Sequence, residues 1–476
     1  MKNLITYLLL LIPYLALAQK DYFNVHEWGT FTTLNTSNGI PLHGLYRDET
    51  PLPKFVYSIP FFSYNESRGW PDTTQLRNVG TKMETPVLYF YTNKPKDIKV
   101  KVGFNGGTIS QWYPQRFTGE VFPSTSFVNF SHKYQGSIEW RAKILPKDTV
   151  LSFSPPVDQV NVEWSAPRQT KSNLIKGSNG EIEKYLFYRG IGNLTLPIKI
   201  EFNKTGKLVI TNNCKENLGY VLVFEKPEDL SQAPIIWWQG SLSTQTYKVI
   251  PKPINLGWSD VSKATENFET ALAKAGLYPD EARAMLATWH NSYFEKEKGL
   301  KVFWILPRKL TDEILPLELS VVPDSLERVI VGRSEILSPE METQLFLDYN
   351  QSNFKKYETH KYYYAFLERM AQLKAGIKTE YTSIDESVAR NEGETISNNI
   401  NLFPNPATDQ IAFSFTESDK NSMISLTIIN SISETVLELK NYKNGTNLNI
   451  ENLPFGIYLA MIHSERKSYK LKFLKR

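Results

Sequence analysis

Residues 376–400 (GIKTEYTSIDESVARNEGETISNNI) cannot form a core of their own, and this decides how the rest of the chain must be divided. The stretch carries five acidic and two basic side chains, and Tyr381 is its only aromatic ring. So little apolar surface does not repay the entropy of ordering the backbone, so the stretch reads as a disordered acidic linker. It separates a body, residues 19–375, from a tail, residues 401–476. The body is long enough for one large domain or two ordinary ones. Cys214 is the only cysteine, so no intramolecular disulfide can hold the chain together. Burial must do so, and a 13% aromatic content with ten Trp provides for it. Each buried ring removes about 150–250 Å² from water.

The first residues read as a secretory signal peptide, residues 1–18. Lys2 gives a positive start, Leu4 to Leu17 is an apolar run, and Ala16-Leu17-Ala18 is the small-x-small pattern a signal peptidase cuts. At 1.5 Å per residue the run spans roughly 21 Å, short of the ~30 Å hydrocarbon core of a bilayer. Cleavage is expected between Ala18 and Gln19, leaving no transmembrane segment in the mature chain. The net charge of +4 is a weak field for so large a body. No basic run is interleaved with aromatics, which argues against nucleic acid as a partner.

Residues 19–258 are predicted to be β-rich. Ile98/Val100/Val102/Phe104, Ile138/Trp140/Ala142/Ile144 and Ile198/Ile200/Phe202 alternate with a period of two, and Tyr220–Phe224 is a continuous apolar run. Turn signals at Asn105-Gly106-Gly107 and Ser178-Asn179-Gly180 punctuate them. These segments suggest antiparallel sheets facing one another, an arrangement like a β-sandwich. Residues 259–375 read as mixed α/β. Ser259 or Asp260 is placed to cap a helix ending at Gly276, and Pro279 to open the next. Ala282, Met285, Leu286, Trp289 and Tyr293 then share one helical face, as do Tyr363, Phe366, Met370 and Leu373 further on.

In the tail the period is two throughout. Ile411/Phe413/Phe415, Ile424/Leu426/Ile428, Ile457/Leu459/Met461 and Tyr469/Leu471/Phe473 are each expected on one face of a strand. Six short strands in so short a segment make a small β-sandwich. Pro404-Asn405-Pro406, within Leu402–Thr408, resembles the opening phrase of type IX C-terminal sorting domains. Leu453-Pro454-Phe455-Gly456-Ile457-Tyr458 resembles their LPxGxY strand, and Lys470–Phe473 their basic final strand. The resemblance covers residues 401–476. It implies an Ig-like sandwich recognised by an outer-membrane translocon and removed by a sortase-like peptidase, with the body released or attached to the cell surface.

The densest reactive chemistry in the body follows the signal peptide. His26 and Glu27 precede Trp28, and His43, Arg47, Asp48 and Glu49 come soon after. Two imidazoles with carboxylates are the ingredients of a zinc or hydrolytic-water site. On a strand, however, His26 and Glu27 point to opposite faces. Glu84, in Lys82–Pro86, is a second candidate: paired with Glu27 or Asp48 it would supply the two acids of a glycosidase. Arg189 is placed to pair with one of these acids or to grip an anionic group. On an α-helix His290 and Glu295 would stand about 140° apart and would not meet. On a strand, one ring of Trp237-Trp238 faces out and the other is core. The phrase VHEWGTFT (25–32) resembles the start of uncharacterised exported bacterial proteins and brings no mechanism. The sequence names no metal and no cofactor. It leaves two readings of the body: a surface protein binding glycan, peptide or another ligand on an aromatic-lined face, or an extracellular hydrolase, metal-assisted through His26, Glu27, His43 and Glu84.

Overall fold

The structure, a computed structural model, describes residues 20–45, 47, 52–59, 76–121, 128–131, 133–147, 149, 153–156, 164–229, 232–253, 261–377, 380–384, 400–415, 424–430, 435–454, 456–463 and 468–475. The signal-peptide segment with its Ala18–Gln19 junction, Asp48, Glu49, the Ser259 or Asp260 cap and linker residues 385–399 lie outside these. The chain forms two compact units, Met1–Asn391 and Glu392–Arg476. It is mainly β and multidomain, as expected.

A nine-stranded sheet organises the first unit. Its order is Ile235–Leu242, Leu218–Lys226, Gly299–Ile305, Ser325–Ile336, Phe23–Asn35, Thr81–Thr92, Leu186–Gly192, Gly107–Tyr113, Tyr57–Ser58. Phe23–Asn35 lies near the middle, parallel to Ser325–Ile336 and antiparallel to Thr81–Thr92. The change of local structure near residue 259 therefore does not divide the sheet, because strands from both sides of it share main-chain hydrogen bonds. The register slips once along Phe23–Asn35: Trp28 pairs with Val87 but Thr30 with Glu84. Thr85 and Pro86 together oppose Gly29, a β-bulge that accommodates a proline without a ladder N–H. A Cβ on Gly29 would lie 2.8 Å from Pro86 Cα.

Both faces of this sheet are covered. Val25, Phe31, Leu88, Tyr188, Trp304 and Ile330 point into one core, shared with a second sheet built on Lys96–Asn105 and Gln135–Ile144. Ile98, Val100, Val102, Phe104, Ile138, Trp140 and Ile144 are all buried there, as the alternation predicts. The Asn105-Gly106-Gly107 turn is a corner rather than a hairpin. Lys96–Asn105 pairs with Gln135–Ile144, whereas Gly107–Tyr113 pairs with Leu186–Gly192, so the chain changes sheets at Gly106, whose φ is +90°. Helices α3 (Arg308–Ile314), α4 (Pro339–Asn350) and α5 (Tyr363–Lys374) seal the same core with Ile314, Leu345, Phe366 and Met370.

The opposite face, with Trp28, Tyr89, Phe187, Leu222, Phe303 and Val331, packs against α1 (Val261–Lys274) and α2 (Pro279–His290). Helix α1 ends as read: Gly276 takes φ +122° and Leu277 N donates to Leu272 O. Pro279 opens α2, and Ala282, Met285, Leu286, Trp289 and Tyr293 are buried. Part of the presumed linker is fastened to this unit. Lys204 N donates to Thr382 O at 2.9 Å and Asn203 Nδ2 to Ile384 O at 2.7 Å. Composition averaged over residues 376–400 hid these local main-chain partners.

The second unit is a sandwich of seven strands among its described residues. A three-stranded sheet (Ile400–Phe403, Gln410–Phe415, Leu448–Asn449) accompanies a four-stranded one (Thr435–Leu439, Ser425–Ile429, Gly456–His463, Ser468–Lys475). Ile411, Phe413, Ile424, Leu426, Ile428 and Phe473 form its core as expected. One strand is turned over: Tyr458, Ala460 and Ile462 face inward, not Leu459 and Met461. Both sets are apolar, so the pattern alone was ambiguous. The register decides, because Ala460 pairs with Ile428 and Ile462 with Leu426, and paired residues share a face.

Candidate functional site

The four residues singled out as hydrolytic candidates do not converge. His26 faces α2, where its Nδ1 donates to Glu281 Oε2 at 2.8 Å. Glu281 stands in the first turn of α2 and also accepts from Tyr278 N at 2.8 Å and Tyr91 OH at 2.7 Å. Glu27 faces the other core, where Arg328 Nε donates to it at 2.5 Å and Tyr188 OH donates to its second oxygen. His43 lies one-third exposed, with Nδ1 3.0 Å from Glu368 Oε1 on α5. Glu84 sits within the strand Thr81–Thr92, between Lys82 Nζ and Arg333 Nη1, each at 3.9 Å. Among the described residues, no cluster of three His, Cys, Asp or Glu is placed to hold a metal.

Two other readings are corrected. His290 and Glu295 do meet, with Nε2 2.9 Å from Oε1. Residues Asn291–Lys296 form a π-helical turn, which brings i and i+5 together where an α-helix would not. In the edge strand Ile235–Leu242 the register slips at Trp237, because Val223 pairs with Trp238 and Phe224 with Ile236. Trp237 is buried and Trp238 half-buried against the same core, so neither offers a free stacking platform. Cys214 is buried, which pushes its thiol up to about 11 and leaves it protonated and inert.

The π-turn opens onto a cleft of about 470 Å³ that sequence reasoning did not find. Its walls are Lys296–Leu300, the strand end Glu335–Leu337, and the segment Lys356–Tyr362 before α5, with Phe366 and Met341 beneath. A buried ionic network forms its floor. Arg333 Nη2 lies 2.5 Å from Glu335 Oε1 and 3.3 Å from Glu297 Oε2. Lys361 bridges the same two carboxylates, reaching Glu335 at 3.3 Å. Tyr362 OH donates to Glu335 at 2.8 Å, and the Arg333 guanidinium lies 4.6 Å from the Tyr293 ring. Behind the network Lys301 Nζ donates to Glu297 O, and Lys82 Nζ to Arg47 O at 2.9 Å. Arg47 in turn donates to Glu358 O at 2.6 Å, tying the loop after Phe23–Asn35 to the cleft wall.

Burial and charge act on this network in opposite directions. Burial raises the Glu335 carboxyl, but Arg333, Lys361 and Lys301 override it and bring it down to about 2. Burial pushes Lys301 down to about 8, against the pull of Glu335. A glycosidase needs one carboxyl held protonated near neutral pH, and Glu335 is held in the opposite state. The signal for this network was present: Arg333 and Glu335 share one face of the mostly apolar run Val329–Ile336, and Lys301 interrupts another.

In the tail, the two phrases that carried the resemblance are structural. Asn405 Oδ1 accepts from Leu474 N at 3.0 Å and Ala407 N donates to Leu474 O at 2.8 Å, pinning Pro404-Asn405-Pro406 to the last strand. Tyr458 is buried, stacks on Phe473 at 5.4 Å between ring centres, and donates to Pro454 O at 2.7 Å. Leu453 packs against the same core and Gly456 opens the strand that bears Tyr458. The family model of the secretion system C-terminal sorting domain matches residues 401–476. The tail is a type IX sorting domain. It directs export of the chain through the type IX secretion system to the outside or the outer surface of the cell.

No curated protein matches the chain. Among solved structures, PorZ of Porphyromonas gingivalis, an essential bacterial surface component of the type IX secretion system, is 14% identical at a TM-score of 0.14, over 17% of this chain and 13% of that one. The yeast delta-COP-I mu-homology domain in complex with a Dsl1 WxWxV peptide is 7% identical at a TM-score of 0.23, over 67% and 98%. Dimeric latent PorU of Porphyromonas gingivalis is 7% identical at 0.17, over 86% and 33%. Scores this low establish no shared fold for the body. No helix among the described residues is long and apolar enough to cross a membrane.

Proposed function

We propose that the body is an extracellular binding module whose cleft beside the π-turn takes a neutral sugar unit of a surface or extracellular glycan. One observation carries this reading: the cleft is densely charged, yet each of its lining carboxylates is already held in balance by a cation. Lys296, Lys298, Lys356 and Lys361 line it with Glu228, Glu297 and Glu335, and Asp348 holds Lys356 at 2.7 Å. Lys298 likewise reaches Glu228 at 3.4 Å. A charged ligand would break this balance, whereas a polyhydroxyl one both donates to the carboxylates and accepts from the ammonium groups. Tyr357, His360 and Tyr362 add ring faces to the lining. What favours binding over hydrolysis is the dispersal of His26, Glu27, His43 and Glu84, each already engaged by its own partner.

In this reading a signal peptide is removed between Ala18 and Gln19. The translocon then recognises the sorting domain, and a sortase-like peptidase cuts within or near residues 376–400. Calorimetric titration of the full chain with neutral pentasaccharides of glucose, xylose, mannose and N-acetylglucosamine tests the cleft. At least one should bind, and Tyr357→Ala should weaken it at least tenfold. Binding unchanged by that substitution, or hydrolysis of the bound sugar, would defeat the proposal.

A further inference from the structure

The outer face of the second sheet carries a row of charges whose register is unfavourable unless something anionic lies across it. In the pairing of Lys96–Asn105 with Gln135–Ile144, Lys99 stands opposite Arg141. In the pairing of Gln135–Ile144 with Ile175–Gly177, Lys143 stands opposite Lys176. Like charges directly opposite one another on a sheet repel, since such side chains begin only about 5 Å apart. All four are exposed, and Asp97, opposite Lys143, is the one carboxylate among them. On the same face Lys101 reaches Glu318 at 2.9 Å, and Arg141 is the one cation of the row with an ion pair, to Glu139 at 3.2 Å. Among the described residues no ion pair engages Lys99, Lys143 or Lys176. These residues also border a shallow groove of about 430 Å³, lined as well by Gly177 and Ser178.

We infer that this groove binds an anionic polysaccharide laid across the three strands, with its carboxylate or sulfate groups on Lys99, Lys143, Lys176 and Arg141. The site is separate from the sugar cleft and does not depend on it. Four features select this occupant. The cations are spread over three strands, which suits a repeating polyanion better than a single small anion. Phe117, an exposed ring beside Arg141, is covered by the Arg141 guanidinium at 3.5 Å, so it offers bases no stacking platform of the kind single-stranded nucleic acids use. The flat sheet face presents no helix or ribbon to enter a duplex groove. Export places the body where polysaccharides are encountered.

The test measures binding of the full chain to polygalacturonate, dextran sulfate, neutral dextran and a double-stranded DNA oligonucleotide at about 0.1 M salt, where exposed charges more than about 10 Å apart are screened. Binding to at least one polyanionic polysaccharide and none to neutral dextran is expected. Replacing Lys99, Lys143 and Lys176 together by Gln should weaken that binding at least tenfold. The charge-matched control, Lys54, Lys204 and Lys215 to Gln, should change it less than twofold. The groove variant should melt at or above the wild-type temperature, because the opposed charges are gone; a lower melting temperature would contradict the register argument. Absence of binding to both polyanions, equal loss in the control, or DNA bound more tightly than either polysaccharide would overturn the proposal.

Discussion

His26 and Glu27 are neighbours in sequence that serve two different cores, and each has a partner some 250 or more residues away. His26→Ala removes a donor to Glu281 and leaves that buried carboxylate with two of its three donors. A loss of about 1–3 kcal/mol in urea unfolding is expected, with no change in metal content. An unchanged midpoint would mean the bond contributes nothing. Glu335 offers a pH test. Its folded value lies below the ordinary 4.5, so its stabilisation is fully present above about pH 4.5 and is lost as pH falls towards 2. The stability gap between wild type and Glu335→Gln, on the order of 3 kcal/mol at neutral pH, should therefore narrow on acidification. A gap that stays constant from pH 6 to pH 3 would contradict the assignment. That His26 and Glu27 diverge was readable from strand alternation alone. Their partners were not, because Glu281 and Arg328 are brought in by the order of strands and helices, which no local spacing encodes.

Elements whose pattern was strongly periodic came out as read, and those that failed did so for local reasons. The face of α2 and the inward residues of Lys96–Asn105 were clear because apolar and polar positions alternate with one period only. The strand Gly456–His463 was misfaced because both of its sides are apolar. His290 and Glu295 were kept apart by assuming α geometry where a π-turn occurs. Pro86 lies within a long strand that its lack of an N–H would ordinarily weaken, and the bulge at Gly29 makes room for it. Gly29→Ala drives a methyl against Pro86 and should cost about 1–3 kcal/mol in chemical denaturation. A neutral result would show that the bulge relaxes freely.

For the whole chain, the acidic stretch spans the point where the two compact units meet in sequence, after Asn391, and residues 382 and 384 are bonded to the first unit. The tail could be read because its phrases pin its first and last strands together. The cleft could not, because its lining comes from Leu34, Glu228 and three segments between residues 296 and 366. Deleting residues 401–476 should leave the body folded but retained inside the cell envelope, as fractionation of intact cells would detect. Its appearance outside would contradict the role of the sorting domain. The proposed function is tested most directly by hydrogen–deuterium exchange of the full chain with and without the tightest-binding neutral oligosaccharide. Protection is expected in residues 296–301, 335–337 and 354–366, with the rest of the body unchanged. Protection confined to another surface, or none at saturating sugar, would contradict the cleft as the binding site.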